Sequence, residues 1–316
     1  MSAANSSAKS GSYIFGPIPS RRLGLSLGVD IVPFKVCPLD CVYCQLGRTT
    51  TKTIERRQYV PVEAVLAELK QRLDEGVEAD FITLSGSGEP TLHSGIAELI
   101  SGIKKLTSIP VAILTNGVLF GDAEVRRQCL GADLVVPSLD AGDDETFKRV
   151  NRPHNDISIE NVISGLAAFR DDFKKQIWLE VFIVEGFNTG PEQIAGIKAG
   201  IEKIRPDKVQ LNTAVRPTAD INIEKVDYEK LRAIAGQLGD NCEIVAGFEH
   251  TARAEQIEAN AEEILTILRR RPCSLDDICS ALGFHRNQAL KYLGELEKQG
   301  AVVPSEKNGV IFFKVI

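Results

Sequence analysis

Apolar and polar positions along this chain follow two periods in alternation. Short apolar runs occur at Leu25–Val32, Asp80–Ser85, Val111–Leu114, Leu134–Leu139, Ile177–Val184 and Lys208–Asn212. Continuous apolar character over so few residues reads as strands buried on both faces. Between them lie longer segments whose apolar residues recur every three or four positions. Pro61 opens one, with Val62, Val65, Leu66, Leu69 and Leu73 on one face, and others span Thr91–Leu106, Ser158–Phe169, Pro191–Ile204 and Tyr228–Leu238. Strands alternating with amphipathic helices predict parallel βαβ units. About six such units fit, against the eight of a closed barrel. The fold class is α/β, and the pattern alone allows a partial (β/α)6 barrel or a doubly wound sheet.

The pattern changes near Thr251. Residues 261–271 carry Ile264, Leu265, Ile267 and Leu268 on one face. Ser274 and Asp277 have the spacing of a capping box for a helix over Leu275–Leu282. Gly283 makes a turn, and His285–Gln299 hides Ala289, Leu290, Leu293 and Leu296 before Gly300 stops it. Ala301–Val303 and Val310–Val315, joined around Asn308-Gly309, read as a hairpin. Three helices and a hairpin predict a small winged helix-turn-helix domain over 256–316, following a larger α/β domain over 13–250. Residues 1–12, rich in Ser, Ala, Gly and Asn, read as a flexible tail.

Composition narrows the function classes. The chain has 316 residues, 43% of them hydrophobic and 25% charged, with a formal net charge of −6. That is ordinary for a globular protein and offers no general attraction to nucleic acid. No run approaches the roughly 20 apolar residues that cross a bilayer, and the N-terminus lacks the apolar segment of a secretory leader, so no membrane partner and a cytoplasmic location are expected. Residues 256–316 balance eight Lys/Arg against eight Asp/Glu. Charge therefore leaves the small domain open to docking a protein or a nucleic acid, with Arg286, Asn287 and Lys291 as the candidate contacts in the latter case.

Seven cysteines are present, and three crowd into Cys37-Pro-Leu-Asp-Cys41-Val-Tyr-Cys44. Three thiolates at this spacing can converge on a soft metal centre. A structural zinc site wants a fourth ligand, and the nearest histidine, His93, is distant in sequence. A four-iron cluster held by three cysteines would keep one iron open. The loop follows a strand, which is where α/β folds place their sites. Cys129, Cys242, Cys273 and Cys279 are scattered in apolar context and read as buried small hydrophobes.

The CxxxCxxC loop, with Tyr43 before its third cysteine, resembles the signature of the radical S-adenosylmethionine (SAM) superfamily, and the resemblance covers residues ~13–250. Ser87-Gly88-Glu89-Pro90 resembles the family's GGE(P) element, with Ser87 where glycine is usual. Thr115-Asn116-Gly117 and Ser138-Leu139-Asp140 resemble two further strand-end elements. The resemblance implies a partial barrel and a [4Fe-4S] cluster on Cys37, Cys41 and Cys44. It implies SAM held through Ser87, Gly88 and Glu89, with Tyr43 near the adenine and Thr115, Asn116, Ser138 and Asp140 as lesser contacts. It implies reductive cleavage of SAM to a 5′-deoxyadenosyl radical, fed by a flavodoxin- or ferredoxin-type electron donor and acting on an unknown substrate. Ser20-Arg21-Arg22-Leu23-Gly24 and Gln45-Leu46-Gly47-Arg48-Thr49 look closer to a branch grouped with wybutosine-synthesis (tRNA) enzymes. Residues 21–57 carry a net charge of +4, so a phosphate or carboxylate substrate could meet Arg21 and Arg22, with Arg216 as a third contact. Two alternatives stay open: a tRNA-modifying enzyme of the same class, and a non-enzyme, a winged-helix regulator that senses a metal or cluster.

Overall fold

The computed structural model describes residues 12–20, 22–214, 218–220, 222–245, 261–265, 268, 272–282, 284–307 and 310–316. Residues 1–11 of the expected tail, Arg21, Arg216, Gly283 and the Asn308-Gly309 turn lie outside them.

An eight-stranded sheet carries the larger part of the chain. Its strands are β1 (Ile14–Ser20), β2 (Gly24–Val29), β5 (Phe81–Leu84), β6 (Val111–Leu114), β7 (Leu134–Val136), β8 (Gln176–Ile183), β9 (Lys208–Thr213) and β10 (Cys242–Ile244), in that spatial order. A two-stranded ribbon of β3 (Val36–Cys37) and β4 (Thr51–Lys52) lies apart from it. β1 pairs antiparallel with β2, and every other neighbour in the large sheet is parallel. The strand order follows the chain order, and among the described residues the two edges, β1 and β10, do not meet. The sheet is therefore open, as in a partial barrel, and does not have the reversed order of a doubly wound sheet. All six sequence-read strands are present. β1 and β10 were not anticipated: two prolines in Ile14–Ser20 obscure β1, although proline is tolerated on an edge strand.

The helices α1 (Val62–Asp74), α2 (Ile96–Leu106), α3 (Ala123–Cys129), α4 (Asp144–Val150), α5 (Ile159–Asp172), α6 (Pro191–Ile204) and α7 (Tyr228–Leu238) connect the strands. Their apolar faces join β2 and β5–β9 in one continuous core containing Leu27, Ile82, Leu84, Leu99, Ile113, Phe120, Phe169, Ile183 and Leu211. Burying each such side chain is worth ~1.5–3 kcal/mol. The helix expected over Thr91–Leu106 splits, because Glu89 caps a separate turn at Pro90–Leu92 before Gly95 leads into α2. α3 and α4 had no periodic signal, having seven residues each. Their caps identify them: Asp122 accepts from the Glu124 N–H and Asp143 from the Thr146 N–H.

The C-terminal residues form a second, smaller core. Residues 261–265 are helical, followed by β11 (Cys273–Ser274), α8 (Leu275–Leu282), α9 (Arg286–Lys298), β12 (Val302–Lys307) and β13 (Val310–Val315). Ile264, Leu268, Ile278, Ala289, Leu293, Leu296, Val302 and Phe313 pack together there. The capping box is reciprocal: Ser274 N–H donates to the Asp277 carboxylate at 2.9 Å, and Asp277 N–H donates to Ser274 Oγ at 3.1 Å. β13 is central and β12 an edge, where Pro304 costs no ladder bond to a further strand.

Candidate cluster and SAM site

The three clustered cysteines lie where β3 runs into a loop beyond the end of β2. The backbone of a second loop, at residues 150–154, fixes this one. Asp40 N–H donates to Asn151 O at 3.0 Å, Val42 N–H to Val150 O at 3.0 Å, and His154 N–H to Pro38 O at 2.8 Å. His154 thus contributes through its backbone, and its ring faces Asp156 at 3.5 Å. Outside the loop, Asp220 receives Arg152 at 2.6 Å and Arg48 at 2.8 Å, and Arg48 also meets Asp40 at 3.2 Å. These two arginines hold the Asp220 carboxyl below its usual range.

Each of the three sulfurs faces a nitrogen donor from another residue. Asn116 Nδ2 lies 3.5 Å from Cys37 Sγ, Asn151 Nδ2 lies 3.4 Å from Cys41 Sγ, and Lys35 Nζ lies 3.1 Å from Cys44 Sγ. Burial and then Glu89 push the Cys37 thiol up to about 12, and burial and then Asp140 hold Cys41 well above its ordinary value. A bound cationic centre would displace those protons. Among the described residues, no three His, Cys, Asp or Glu side chains close on a single metal ion. A tetrahedral zinc needs that closure, whereas a four-iron cluster offers a separate iron to each thiol. Three thiols on three separate irons would leave the fourth iron open, so the donor set fits the cluster. His93 is no ligand: it is fully buried, donates from Nε2 to Val60 O at 2.9 Å and accepts the Gly95 N–H at Nδ1. Cys129, Cys242 and Cys279 are free thiols, and Cys129 and Cys273 are fully buried.

Ser87-Gly88-Glu89 is packed against the cysteine loop. Lys35 N–H donates to Ser87 O at 2.6 Å, and Glu89 N–H to Val36 O at 3.1 Å. A Cβ on Gly88 would sit 2.3 Å from Val36 O, so glycine is required here for contact with backbone. The Glu89 carboxylate is buried and turned inward. It accepts Thr91 N–H at 3.0 Å, the Thr91 and Thr115 hydroxyls at 2.6 Å each, and Asn116 N–H at 2.8 Å. It thereby fastens the Thr115-Asn116-Gly117 turn to the cluster loop. Asp140 is a second buried hub, receiving Tyr43 Oη, Asn151 Nδ2 at 2.7 Å and Phe182 N–H at 2.8 Å. Burial lifts its carboxyl to about 6 against those three donors. Ser138 lies in a bridge to Glu180.

A cavity of about 360 Å³ opens on this face. Its wall includes Cys41, Tyr43, Cys44, Gln45, Leu46, Ser26, Thr83, Ser85, Gly86, Arg22, Glu180, Phe182 and Asn212. Tyr43 thus borders the space, with one ring face stacked on Phe182 at 3.9 Å. Ser87, Gly88, Glu89, Thr115, Asn116 and Asp140 stand behind the wall as a hydrogen-bonded frame. Arg22 lies on the wall, paired with Glu180 at 3.0 Å. Part of the basic excess of residues 21–57 is engaged within the protein, while Lys52 and Arg57 are exposed. Lys35 is buried on Cys44, Arg48 is tied to Asp40 and Asp220, and Arg56 donates to Thr91 O and Gln128.

Sequence reading missed Lys35 and Asn151 as sulfur partners, because nothing local marks them. It also missed Asp30, buried behind Ser87, whose Oγ donates to it at 2.5 Å. Asn287, Leu290 and Lys291 of α9 complete the cavity wall. Arg286 lies over the Phe34 ring at 3.9 Å. The residues expected to reach toward nucleic acid thus face the larger domain.

The model of the radical SAM superfamily matches residues 31–195. A UPF0026 protein of Methanocaldococcus jannaschii is 32% identical over 308 residues, covering 95% of this chain and 94% of that protein. A GTPase Obg of Brachyspira hyodysenteriae is 37% identical over 305 residues, covering 96% of this chain but only 45% of that protein. The chain thus spans less than half of this relative. A solved structure of TYW1 with a lysine-pyruvate adduct bound has a TM-score of 0.52 at 18% identity, covering 69% of this chain and 74% of that one, a likeness of fold.

Proposed function

The chain belongs to the radical SAM superfamily and to its UPF0026 proteins, enzymes that use a [4Fe-4S] cluster and SAM and need an electron donor and a substrate; from that premise we propose that Cys37, Cys41 and Cys44 hold the cluster and that the adjoining cavity binds SAM and a small-molecule substrate. When bound, cluster and SAM supply a one-electron cleavage of the sulfonium to methionine and a 5′-deoxyadenosyl radical that abstracts hydrogen. Everything else in the reading falls to the chain's own groups. Asn116, Asn151 and Lys35 aim N–H donors at the three sulfurs. Ser87, Gly88 and Glu89 pin the loop that borders the cavity, with Glu89 acting as a brace between that loop and the Thr115 turn. Tyr43, stacked on Phe182 and bonded to Asp140, offers its remaining ring face to an adenine. Glu180, Arg22 and Asn212 supply polar groups on the wall. The three-sulfur set with a donor on every sulfur carries this reading.

Specific binding to tRNA gains less support, because Arg22, Lys35, Arg48 and Arg56 are engaged within the protein. A regulator would present α9 outward, and here α9 faces the cavity. The winged-helix assignment of the C-terminal residues rests on their order of helices and hairpin. A flavodoxin- or ferredoxin-type donor is the proposed source of electrons. The test is anaerobic loading with iron and sulfide, then dithionite and SAM. 5′-Deoxyadenosine is expected from the native chain and none from Cys41→Ala, whose iron content should also collapse. Absence of deoxyadenosine from fully loaded native protein would overturn the reading.

A further inference from the structure

α9 begins at His285, which performs two tasks. Its Nδ1 accepts the Asn287 N–H and caps the helix, while Nε2 reaches Asp30 Oδ2 at 3.0 Å. The same Asp30 oxygen accepts the Ser87 hydroxyl at 2.5 Å, and Asp30 is 1% exposed. A Cβ on Gly86 would fall 2.4 Å from the Asp30 carboxyl carbon, so Asp30 is seated against the Gly86-Ser87 backbone itself. The Phe15 ring stacks on His285 at 4.3 Å, and Arg286 covers Phe34, one residue before Lys35. From this anchorage α9 presents Asn287, Leu290 and Lys291 to the cavity that Cys41, Tyr43 and Cys44 also border.

We infer that the C-terminal unit is a working wall of the SAM cavity: His285 latches α9 through Asp30 to the Ser87 loop, and Asn287, Leu290 and Lys291 contact a small-molecule ligand there in place of a nucleic acid. This rests on the SAM reading above. If the loop that borders SAM and the latch share one carboxylate, SAM binding and α9 docking favour each other reciprocally. A nucleic acid would require the same α9 residues to face outward, away from the barrel.

The experiment uses the full chain, loaded anaerobically, with SAM as the probe. Amide hydrogen exchange across 286–298 is measured with and without SAM, alongside SAM affinity by equilibrium dialysis. His285→Asn keeps a helix-capping side chain but is too short to reach Asp30, and Lys291→Ala tests the wall in a helix that remains capped. SAM is expected to slow exchange in α9, and His285→Asn to weaken SAM binding by at least about fivefold while keeping native iron content. SAM bound normally by the native chain, with α9 exchange unmoved and the His285→Asn affinity within about twofold, would overturn the inference. So would salt-dependent binding of bulk tRNA that Lys291→Ala abolishes. Loaded native protein that binds no SAM at all would instead defeat the functional reading beneath it.

Discussion

Lys35 has left-handed backbone, φ 58°, and is 3% exposed, so its ammonium is held inside the protein against Cys44. Such a conformation is uncommon outside glycine. It is stabilised by the bonds its backbone makes to Ser87 O, Thr50 N–H and Thr51 N–H. A cation beside a cluster sulfur favours the reduced, more negative state. In loaded protein, Lys35→Met is therefore expected to move the midpoint to more negative potential, by some tens of millivolts, in a redox titration followed by electron paramagnetic resonance. An unchanged midpoint would mean that Lys35 serves packing alone. The sequence displayed Lys35 only as one of several basic residues near the cysteines. Its role depends on a backbone turn and on the depth of the site, and neither has a local signature.

At the scale of elements, the contact that sets α6 against the loop after β7 is glycine on glycine. A Cβ on Gly142 would lie 2.1 Å from the Gly196 carbonyl carbon, while one on Gly196 would meet Gly142 Cα at 3.2 Å. Neither Gly142 nor Gly196 has a positive φ, so the requirement is for space. Gly142→Ala must push α6 outward and is expected to cost about 1–3 kcal/mol, and Gly196→Ala distinctly less, in urea unfolding. Equal costs would show that the helix shifts freely. Gly142 lies just before α4, which leads on to Asn151, so this spacing also bears on the Cys41 partner. The strands β2 and β5–β9 were legible as buried apolar runs and α1, α5, α6 and α7 as periodic faces. α3 and α4 were not, since one or two turns cannot express a period.

At the scale of the whole molecule, the two largest hydrophobic cores are separate clusters, and α9, β1 and the Phe34 region meet between them. Glu297 lies on α9, whose apolar residues join the second. Its Oε1 is buried with no hydrogen-bond partner among the described residues, and desolvation lifts its carboxyl to about 7. The unfolded value is about 4.3. Between those values the native state holds more protons than the unfolded one, so stability falls as pH rises through that window. Glu297→Gln is expected to raise the C-terminal transition by about a degree or two at pH 8, and to leave it unchanged at pH 4, in scanning calorimetry. An equal effect at both values would rule out the carboxylate as the cause. None of the described helices is long and apolar enough to cross a membrane. The sequence by itself determined the order of strands β2 and β5–β9 and of helices α1, α5, α6 and α7, the capping box at Ser274 and the cysteine trio, because periods, caps and ligand spacing are local properties. Only the tertiary structure decided that Glu89 braces two loops, that Lys35, Arg48 and Arg56 are engaged within the protein and that α9 turns inward. Those outcomes depend on which distant groups meet, as Asp30 and His285 do across 255 positions, and residues so far apart leave no pattern in the chain that joins them.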